Sequence, residues 1–331
     1  MTPFARPLRL WVVVAIMISA TITTAFRYSF FTPLREARIA AHGQVVAHRA
    51  AAPARHRVLV PMLLDRPIRI ASLWWSYEKA FERVYGAFHL AALSLLLIAL
   101  LLQLNVWFPA EQAMAGALMI ASLVQLAMRQ QEFDLSAIPS GAVFAPHSLL
   151  EPTCVALTCV LARQGSRVRL TILVALAALN SEASVILPAL YLAVVGIRRS
   201  SVTSAGWYAA VWLTVTIGLR LLLGGADGIG ATRDLWRENL QHLPLAAINV
   251  SLYLGPLWIA ALIGLRRAPA PARRAAWLVP PSLLAVAIWG HWTDVRLLLG
   301  VYPLLAPLVV AAIFEPTRAH ACEAQILSPG A

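Results

Sequence analysis

The stretch Leu170–Ile197 reads LTILVALAALNSEASVILPALYLAVVGI, and the predicted topology of the chain depends on it. It is 28 residues long and apolar, except for a polar group, Asn180-Ser181-Glu182, near its centre. As one straight helix it would measure about 42 Å and would hold the Glu182 carboxylate near the middle of a bilayer. A carboxylate in hydrocarbon is expensive unless it is paired or functional. We therefore expect two short half-helices that meet at Asn180–Glu182.

Arginines on both sides of this stretch support the broken helix. Three precede it, two follow it, and four more come two predicted spans later: Arg163, Arg167, Arg169; Arg198, Arg199; Arg266, Arg267, Arg273, Arg274. Short basic loops of membrane proteins lie on the cytoplasmic side. All three loops share that side only if the stretch returns to the side from which it entered. The sequence thus predicts a re-entrant hairpin with Glu182 at its tip, inside the membrane or near its outer face.

The composition of the whole chain is that of a membrane protein. Of its 331 residues, 60% are hydrophobic and only 13% are charged, whereas soluble domains carry about 25% charged residues. This composition excludes an ordinary soluble enzyme. The net charge of +12 suits anionic head groups. Because the arginines flank apolar blocks and form no soluble basic face, we expect no nucleic-acid partner.

Eight further windows are apolar and long enough to cross a bilayer. They are Leu10–Phe26, Val84–Phe108, Ala110–Met128, Ser140–Ala162, Ala205–Leu223, Leu245–Leu265, Ala275–Trp292 and Leu297–Phe314. The predicted fold class is therefore all-α: a polytopic transmembrane helical bundle of about nine or ten passes, forming one domain over residues 1–314. We expect it in the bacterial cytoplasmic (inner) membrane with both termini cytoplasmic, and we expect residues 315–331 to be a disordered tail.

Residues 32–83 form a long first external loop in this topology. Its Ala-rich part, Pro33–Ala52, and its apolar pieces, Val58–Leu64 and Leu73–Trp75, predict helices that lie on the membrane surface. Trp74, Trp75 and Tyr77 are a predicted interfacial anchor.

Polar clusters at membrane depth or at its rim are the candidates for chemistry. Glu182 could orient a sugar hydroxyl, a metal ion or an arginine, or it could form a purely structural pair with a neighbouring helix. In the segment His291–Arg296, Arg296 could hold a phosphate with Asp294 supporting it, although an ordinary polar turn also explains the segment.

Two more clusters lie outside these segments. Arg55, His56 and Arg57 suit a lipid phosphate, or else a basic surface helix without a ligand. His147 and Glu151 are spaced four residues apart, which suits half of a metal site, a proton-transfer pair or a mutually satisfied structural pair. Glu36 is the first acidic residue after the first predicted helix, and its neighbours Arg35 and Arg38 favour a solvated, neutralised charge.

Three short motifs together point to a family. A basic Arg-x-Leu-x-Pro element is matched by Arg57–Pro61, an Asn-Arg-Glu-Thr element by Asn180–Ala183 with Ser181 in place of Arg, and an acidic-x-Arg element by Asp294–Arg296. In these motifs, from the first helix to about Phe314, the chain resembles bacterial polytopic membrane proteins of glycosyltransferase C-type (GT-C-like) architecture.

The resemblance implies a transferase that moves a sugar from a polyprenyl-phosphate carrier to an acceptor at the outer face of the membrane. Its partners would be membrane lipids and the lipid-linked sugar. It implies an acidic residue in the first external loop, for which Glu36 is the candidate, and it leaves a divalent metal ion open as cofactor. The expected catalytic residues are Glu182, Asp294 and Glu36, and the expected substrate-binding residues are Arg57, Arg296, Asn180, His291 and Arg55.

The chemistry of such a transfer needs a cation at the departing phosphate and a carboxylate that accepts the proton of the acceptor. We therefore expect Arg57, Glu182, Asp294 and Arg296 to converge near the outer face. Two alternatives stay open. A transporter or lipid flippase would also use a broken helix with a buried carboxylate. A non-catalytic structural subunit of an envelope assembly would need no ligand.

Overall fold

The computed structural model describes residues 35–50, 56–129, 146–224, 240–241, 243–289 and 295–314, and within these ranges the chain is helical and contains no strand. The α-helices are α1 (Arg35–Val46), α2 (Leu59–Ala71), α3 (Tyr77–Asn105), α4 (Ala110–Arg129), α5 (Leu150–Gln164), α6 (Arg167–Asn180), α7 (Ile186–Val195), α8 (Arg199–Leu223), α9 (Leu243–Gly264), α10 (Ala270–Ala276), α11 (Val279–Trp289) and α12 (Tyr302–Ile313). Short 3₁₀ segments cover Pro146–Leu149, Glu182–Val185 and Val295–Val301.

Two helices among the described residues, α3 and α8, are long and apolar enough to cross a membrane. Their 29 and 25 residues measure about 43 and 37 Å, against about 30 Å for a hydrocarbon core. The most apolar window of α3 is 56% buried inside the bundle, whereas that of α8 is only 11% buried. Thus α3 is a central helix, and α8 presents an apolar surface to its surroundings. The nine or ten passes expected from the sequence stay a prediction.

The core of the bundle forms where α3 and α12 meet their neighbours. Helix α3 packs against α4 and α5, and α12 packs against α9, α4 and α5. Gly264 of α9 lies directly on the backbone of α12, where a Cβ atom would collide with the carbonyl oxygen of Leu308. A glycine is therefore required for the close approach of these two helices.

A proline inside α12 explains the buried polar residue of α3. Pro307 has no N–H, so the carbonyl of Pro303, four residues earlier, lacks its helical hydrogen bond. The side-chain amide of Gln103, which is buried in α3, donates a hydrogen bond to that carbonyl at 2.8 Å. The glutamine thus replaces the bond that the proline removes, and it fixes α12 against α3.

The predicted break in the stretch Leu170–Ile197 is confirmed. Helix α6 ends because Ser181 is extended, with φ −161° and ψ 140°, and a 3₁₀ turn then leads into α7. The Ser181 hydroxyl accepts a hydrogen bond from the backbone N–H of Ala183 at 3.2 Å, and the Ser184 hydroxyl donates to the Ser181 carbonyl at 2.7 Å. The indole N–H of Trp212 on α8 donates to the Ser184 hydroxyl at 3.0 Å, which ties the turn to that helix.

The hairpin returns to the end of the bundle where it began. Near its start, the Trp207 indole on α8 donates a hydrogen bond to the Thr171 hydroxyl on α6 at 3.1 Å. Near its finish, the Arg274 guanidinium donates to the carbonyls of Ala193 and Val194, at 2.7 and 3.2 Å, and so caps α7. The three basic loops therefore lie at one end, which we call the arginine end: Arg163, Arg167, Arg169, Arg198, Arg199, Arg266, Arg267, Arg273 and Arg274.

The last two predicted spans are interrupted. The window Ala275–Trp292 is divided between α10 and α11, because Pro280 and Pro281 lack the N–H groups that a continuous helix would use. The window Leu297–Phe314 begins in a 3₁₀ segment and becomes α-helical at Tyr302. Similarly, α5 begins only at Leu150, later than the predicted Ser140. The predicted first span and the tail at 315–331 lie outside the described residues.

The first loop forms two helices that pack on α3. The predicted surface helix Pro33–Ala52 corresponds to α1, which is shorter, and the apolar piece Val58–Leu64 opens α2. Arg35 on α1 pairs with Glu82 and Glu78 on α3, at 2.6 and 3.3 Å. Trp74 is 70% exposed at the turn between α2 and α3, as expected of an interfacial anchor.

Candidate functional site

A cluster of charged side chains surrounds the break between α6 and α7. The Glu182 carboxylate lies 3.5 Å from Nε of Arg57 and 3.7 Å from Nδ1 of His56. Glu182 opens the 3₁₀ turn of the hairpin, whereas His56 and Arg57 come from the first loop, just before α2. Two parts of the chain that are far apart in sequence therefore meet at this carboxylate.

His56 also fixes where the cluster lies in the bundle. Its Nε2 atom lies 3.4 Å from the carbonyl oxygen of Gly224, directly after the last residue of α8. Gly224 has a φ of +79°, which residues with a side chain rarely adopt. A glycine therefore allows the sharp turn of the chain after α8. Because α8 begins at the arginine end and finishes beside His56, the cluster lies at the opposite end of that helix.

A second carboxylate lies next to the hairpin turn. The Ser181 hydroxyl donates a hydrogen bond to Oε2 of Glu151, at 3.4 Å, and accepts one from the Ala183 N–H. Glu151 stands in the first turn of α5, and both Arg57 and Glu182 lie near enough to act on its charge. Ser181 thus ties Glu151 to the turn that Glu182 opens.

Gly300 makes room for the Glu151 carboxylate. A Cβ atom at position 300 would lie 2.6 Å from Oε1 of Glu151, closer than carbon and oxygen can approach. Gly300 belongs to the 3₁₀ segment Val295–Val301, which also carries the backbone of Arg296. Four residues of 3₁₀ helix span about 8 Å, so the backbone of the predicted phosphate ligand Arg296 lies about that far along the axis from Gly300.

The negative charge of the two carboxylates has to be balanced by nearby cationic side chains. Two carboxylates lie beside one guanidinium and one imidazole, and both ring nitrogens of His56 face oxygen acceptors. Removing one partner of a half-buried ion pair leaves the other charge poorly solvated and uncompensated. Removal of Arg57 should therefore disturb Glu182 more than removal of an exposed surface charge would disturb its partner.

The space beside the cluster is small. Asn180, Ser181, Ser184 and Glu151 line a cavity no larger than a water molecule. A sugar or a lipid phosphate does not fit inside it. A substrate would instead reach the ion pair from its open side, because the side chains of Arg57 and Glu182 are 23% and 27% exposed.

The predicted site residues divide into three groups. Arg57, Glu182 and Asn180 come together at the hairpin tip. Glu36 is not part of this group. It is exposed on α1, whose main contacts are with α2 and α3. Its exposure agrees with the expected solvated charge, although Arg35 forms its ion pairs with two glutamates of α3. Arg55, His291, Asp294 and the side chain of Arg296 lie outside the described residues.

Two residues of the cluster were not among the predicted site residues. Glu151 drew notice in the sequence only through its spacing from His147, and no pattern pointed to Ser181 or Gly300 as its neighbours. His56 stood between two predicted phosphate ligands, but its contacts with Glu182 and with the end of α8 depend on the tertiary fold. Glu151 and His56 are both polar residues beside apolar segments, and only this feature of the sequence could have indicated a role in the site.

The arrangement can hold an anion at Arg57 and can accept a proton at either carboxylate. Within the described residues, no three His, Cys, Asp or Glu side chains lie close enough together to hold a metal ion. The chain matches no family model, no curated protein and no solved structure in three separate comparisons.

Proposed function

We propose that this chain is an integral membrane glycosyltransferase of GT-C-like architecture. It transfers a sugar from a polyprenyl-phosphate donor to an acceptor at the outer face of the bacterial cytoplasmic membrane. The observation that carries the proposal is the ion pair between Arg57 of the first loop and Glu182 at the hairpin tip. These are two of the four residues expected to converge near the outer face.

The proposed location follows from two features of the bundle. Helix α8 exposes most of its apolar surface, which costs free energy in water and none in lipid. The arginine end would face the cytoplasm, in keeping with the positive-inside rule, so that the Arg57–Glu182 pair would face outward. In this topology eight spans and the two half-helices of the hairpin would make ten helical passes, with both termini cytoplasmic.

The transfer would use the two members of the ion pair in different roles. The acceptor hydroxyl attacks the anomeric carbon of the donor sugar, so that a new C–O bond forms while the bond from that carbon to the phosphate oxygen breaks. Glu182 accepts the hydroxyl proton, and the bonding electrons leave with the polyprenyl phosphate. Arg57 stabilises the charge that develops on the departing phosphate.

The geometry of the resting pair suits this exchange of partners. The separation of 3.5 Å between Arg57 and Glu182 is longer than the 2.7–2.9 Å of a strong charge-assisted hydrogen bond. A phosphate, with its several acceptor oxygens, can therefore compete with the carboxylate for the guanidinium. Donor binding would release Glu182 from Arg57 and so make it a better proton acceptor.

Glu151, Ser181 and His56 would be positioning residues. Ser181 is held between the Glu151 carboxylate and the Ala183 N–H, and it fixes the backbone that carries Glu182. His56 fixes the same carboxylate relative to the end of α8. A base must lie within hydrogen-bond reach of the proton that it takes, so this support matters for the rate.

The test is transfer by the purified full chain in nanodiscs, with short-chain polyprenyl phosphates carrying a panel of hexoses and pentoses. Membrane extract serves as the acceptor source, and product is measured as radiolabelled sugar. We expect Glu182→Gln and Arg57→Gln to lower transfer at least 100-fold, because each removes a general base or a stabilising charge. Glu111→Gln and Arg66→Gln, which change exposed residues of the same types, should transfer at the normal rate.

A charge exchange separates catalysis from a purely structural pair. The double variant Arg57→Glu, Glu182→Arg keeps opposite charges in contact but exchanges the two roles. Under the proposal it recovers thermal stability relative to the single variants and stays inactive. Recovery of transfer together with stability, or no transfer by the unmodified chain with any donor, would overturn the proposal.

One observation favours a second candidate, a proton-coupled transporter. Broken helices with a carboxylate at the break are typical binding sites of secondary transporters. Here the break carries Glu182. A second carboxylate, Glu151, accepts a hydrogen bond from the neighbouring Ser181 hydroxyl. Proteoliposomes with an imposed pH gradient decide between the candidates: gradient-dependent uptake of a sugar or lipid phosphate that Glu182→Gln abolishes supports transport.

A further inference from the structure

The three loops of the arginine end are strongly positive. The loops, residues 163–169, 196–204 and 265–278, contain nine arginines and no Asp or Glu. All nine arginines are exposed. Clusters of Lys and Arg beside membrane helices attract anionic head groups, so a group of this size suits a lipid anion as its partner.

An apolar stripe on α6 begins at this end. Val168, Ile172 and Leu176 are 72%, 54% and 45% exposed, and their spacing of four residues places them on one face of the helix. Leu170 and Val174 on the opposite face are buried in the bundle. The exposed stripe measures about 12 Å along the helix axis, which suits contact with an extended hydrocarbon chain.

Helix α8 continues this surface. Trp207, 59% exposed, is joined to α6 by its hydrogen bond to Thr171, so the outer faces of the two helices are adjacent. Arg167 lies one turn before Thr171, and Arg199 lies about two turns before Trp207, toward the same end.

We propose that this α6–α8 surface is a binding site for an anionic phospholipid of the bilayer. Arg167 and Arg199 hold the phosphate, since guanidinium groups bind phosphate oxygens in pairs, and one acyl chain lies along Val168, Ile172 and Leu176. Trp207 stands at the boundary between head group and chain, where tryptophans are enriched. The site rests on the proposed membrane location and is independent of the transferase chemistry at the other end of α8.

The combination of charge and apolar area selects the ligand. A free phosphate would use the arginines and leave the stripe uncovered, and a neutral phospholipid would cover the stripe without balancing the charge. An anionic phospholipid satisfies both. Its affinity should therefore exceed that of inorganic phosphate and that of a zwitterionic lipid of the same chain length.

The experiment titrates delipidated full chain in a neutral detergent with phosphatidylglycerol, phosphatidylcholine or inorganic phosphate. Binding is measured by Trp fluorescence and by the lipid retained in native mass spectrometry. We expect phosphatidylglycerol to bind at least 10-fold more tightly than phosphatidylcholine. Arg167→Gln with Arg199→Gln should abolish that difference, and Ile172→Gln should weaken binding of both lipids.

The matched control stays at the arginine end. Arg266→Gln with Arg267→Gln removes the same charge from the loop between α9 and α10, away from the stripe, and should change phosphatidylglycerol affinity less than 3-fold. Equal losses in the two double variants would show general attraction and overturn the site. Competition by millimolar inorganic phosphate would also overturn it, because the stripe would then contribute nothing.

The lipid site and the transferase fail separately in these assays. Glu182→Gln should bind phosphatidylglycerol normally, since that residue lies at the other end of α8. Normal lipid binding without sugar transfer would therefore count against the transferase alone. Loss of the lipid preference in a chain that still transfers sugar would count against the lipid site alone.

Discussion

Replacing Gly300 by Ala tests whether the Glu151 carboxylate occupies the position seen beside the hairpin. The added Cβ atom would lie 2.6 Å from Oε1, and ordinary contact begins at 3.4 Å, so the carboxylate must move by about 0.8 Å. The backbone of Gly300 does not have a positive φ, and alanine adds no strain of its own there. The displaced group is the end of a half-buried side chain. Its hydrogen bond from Ser181 is already 3.4 Å long, so a shift away from Ser181 would break it.

Gly300→Ala should lower the free energy of unfolding by about 1–3 kcal/mol, the usual cost of overpacking. The assay is an SDS titration of Trp fluorescence in mixed micelles, run on a double-mutant cycle with Glu151→Ala. Since Glu151→Ala removes the atoms that the new methyl group meets, Gly300→Ala should cost close to nothing in that background. Equal costs in both backgrounds would refute the placement of Glu151 against Gly300.

Two further predictions concern other parts of the fold. Gly264→Ala should lower the free energy of unfolding by about 3 kcal/mol or more, because its Cβ atom meets the backbone of Leu308. Gly218 on α8 has open space around it, so Gly218→Ala should change the free energy of unfolding by less than about 1 kcal/mol in the same titration. Burial lowers the pKa of His42 below its ordinary value of 6.5, although Asp65 partly opposes the shift. The unfolded chain therefore takes up the proton first, so thermal stability should fall as the pH drops from 6.5 through the folded pKa, and His42→Gln should reduce that fall.

The sequence predicted the helical fold and the hairpin because both depend on local patterns. Apolar windows of sufficient length mark helices, and the polar group Asn180–Glu182 marks the break. The arginines showed that the hairpin returns, since their sidedness is a property of short loops. What the patterns missed was how prolines act inside apolar windows: Pro280 and Pro281 divide one predicted span, and Pro307 is tolerated only because Gln103 replaces the lost bond.

The site was less predictable because it depends on tertiary contacts. Motif likeness and residue type were enough to name Arg57 and Glu182, and the structure brings those two together. No spacing along the chain relates Glu151 to Ser181 or to Gly300, since each stands on a different element. Glu36 was chosen by its position in the first loop, and the ion pairs of Arg35 with α3 show that the loop packs in a way its composition did not reveal.

The cap on α7 has a consequence for the order in which the chain is assembled during synthesis. The carbonyls of Ala193 and Val194 receive their hydrogen bonds from Arg274, which is made 81 and 80 residues later. At about 5–20 residues per second, a ribosome needs about 4–16 s to add that length of chain. During this interval the two carbonyls have no side-chain cap and can bond only to solvent. The end of α7 is therefore capped only after α9 and α10 have been made, and in a chain truncated before Arg274 a cysteine introduced at the end of α7 should be labelled faster than in the full chain.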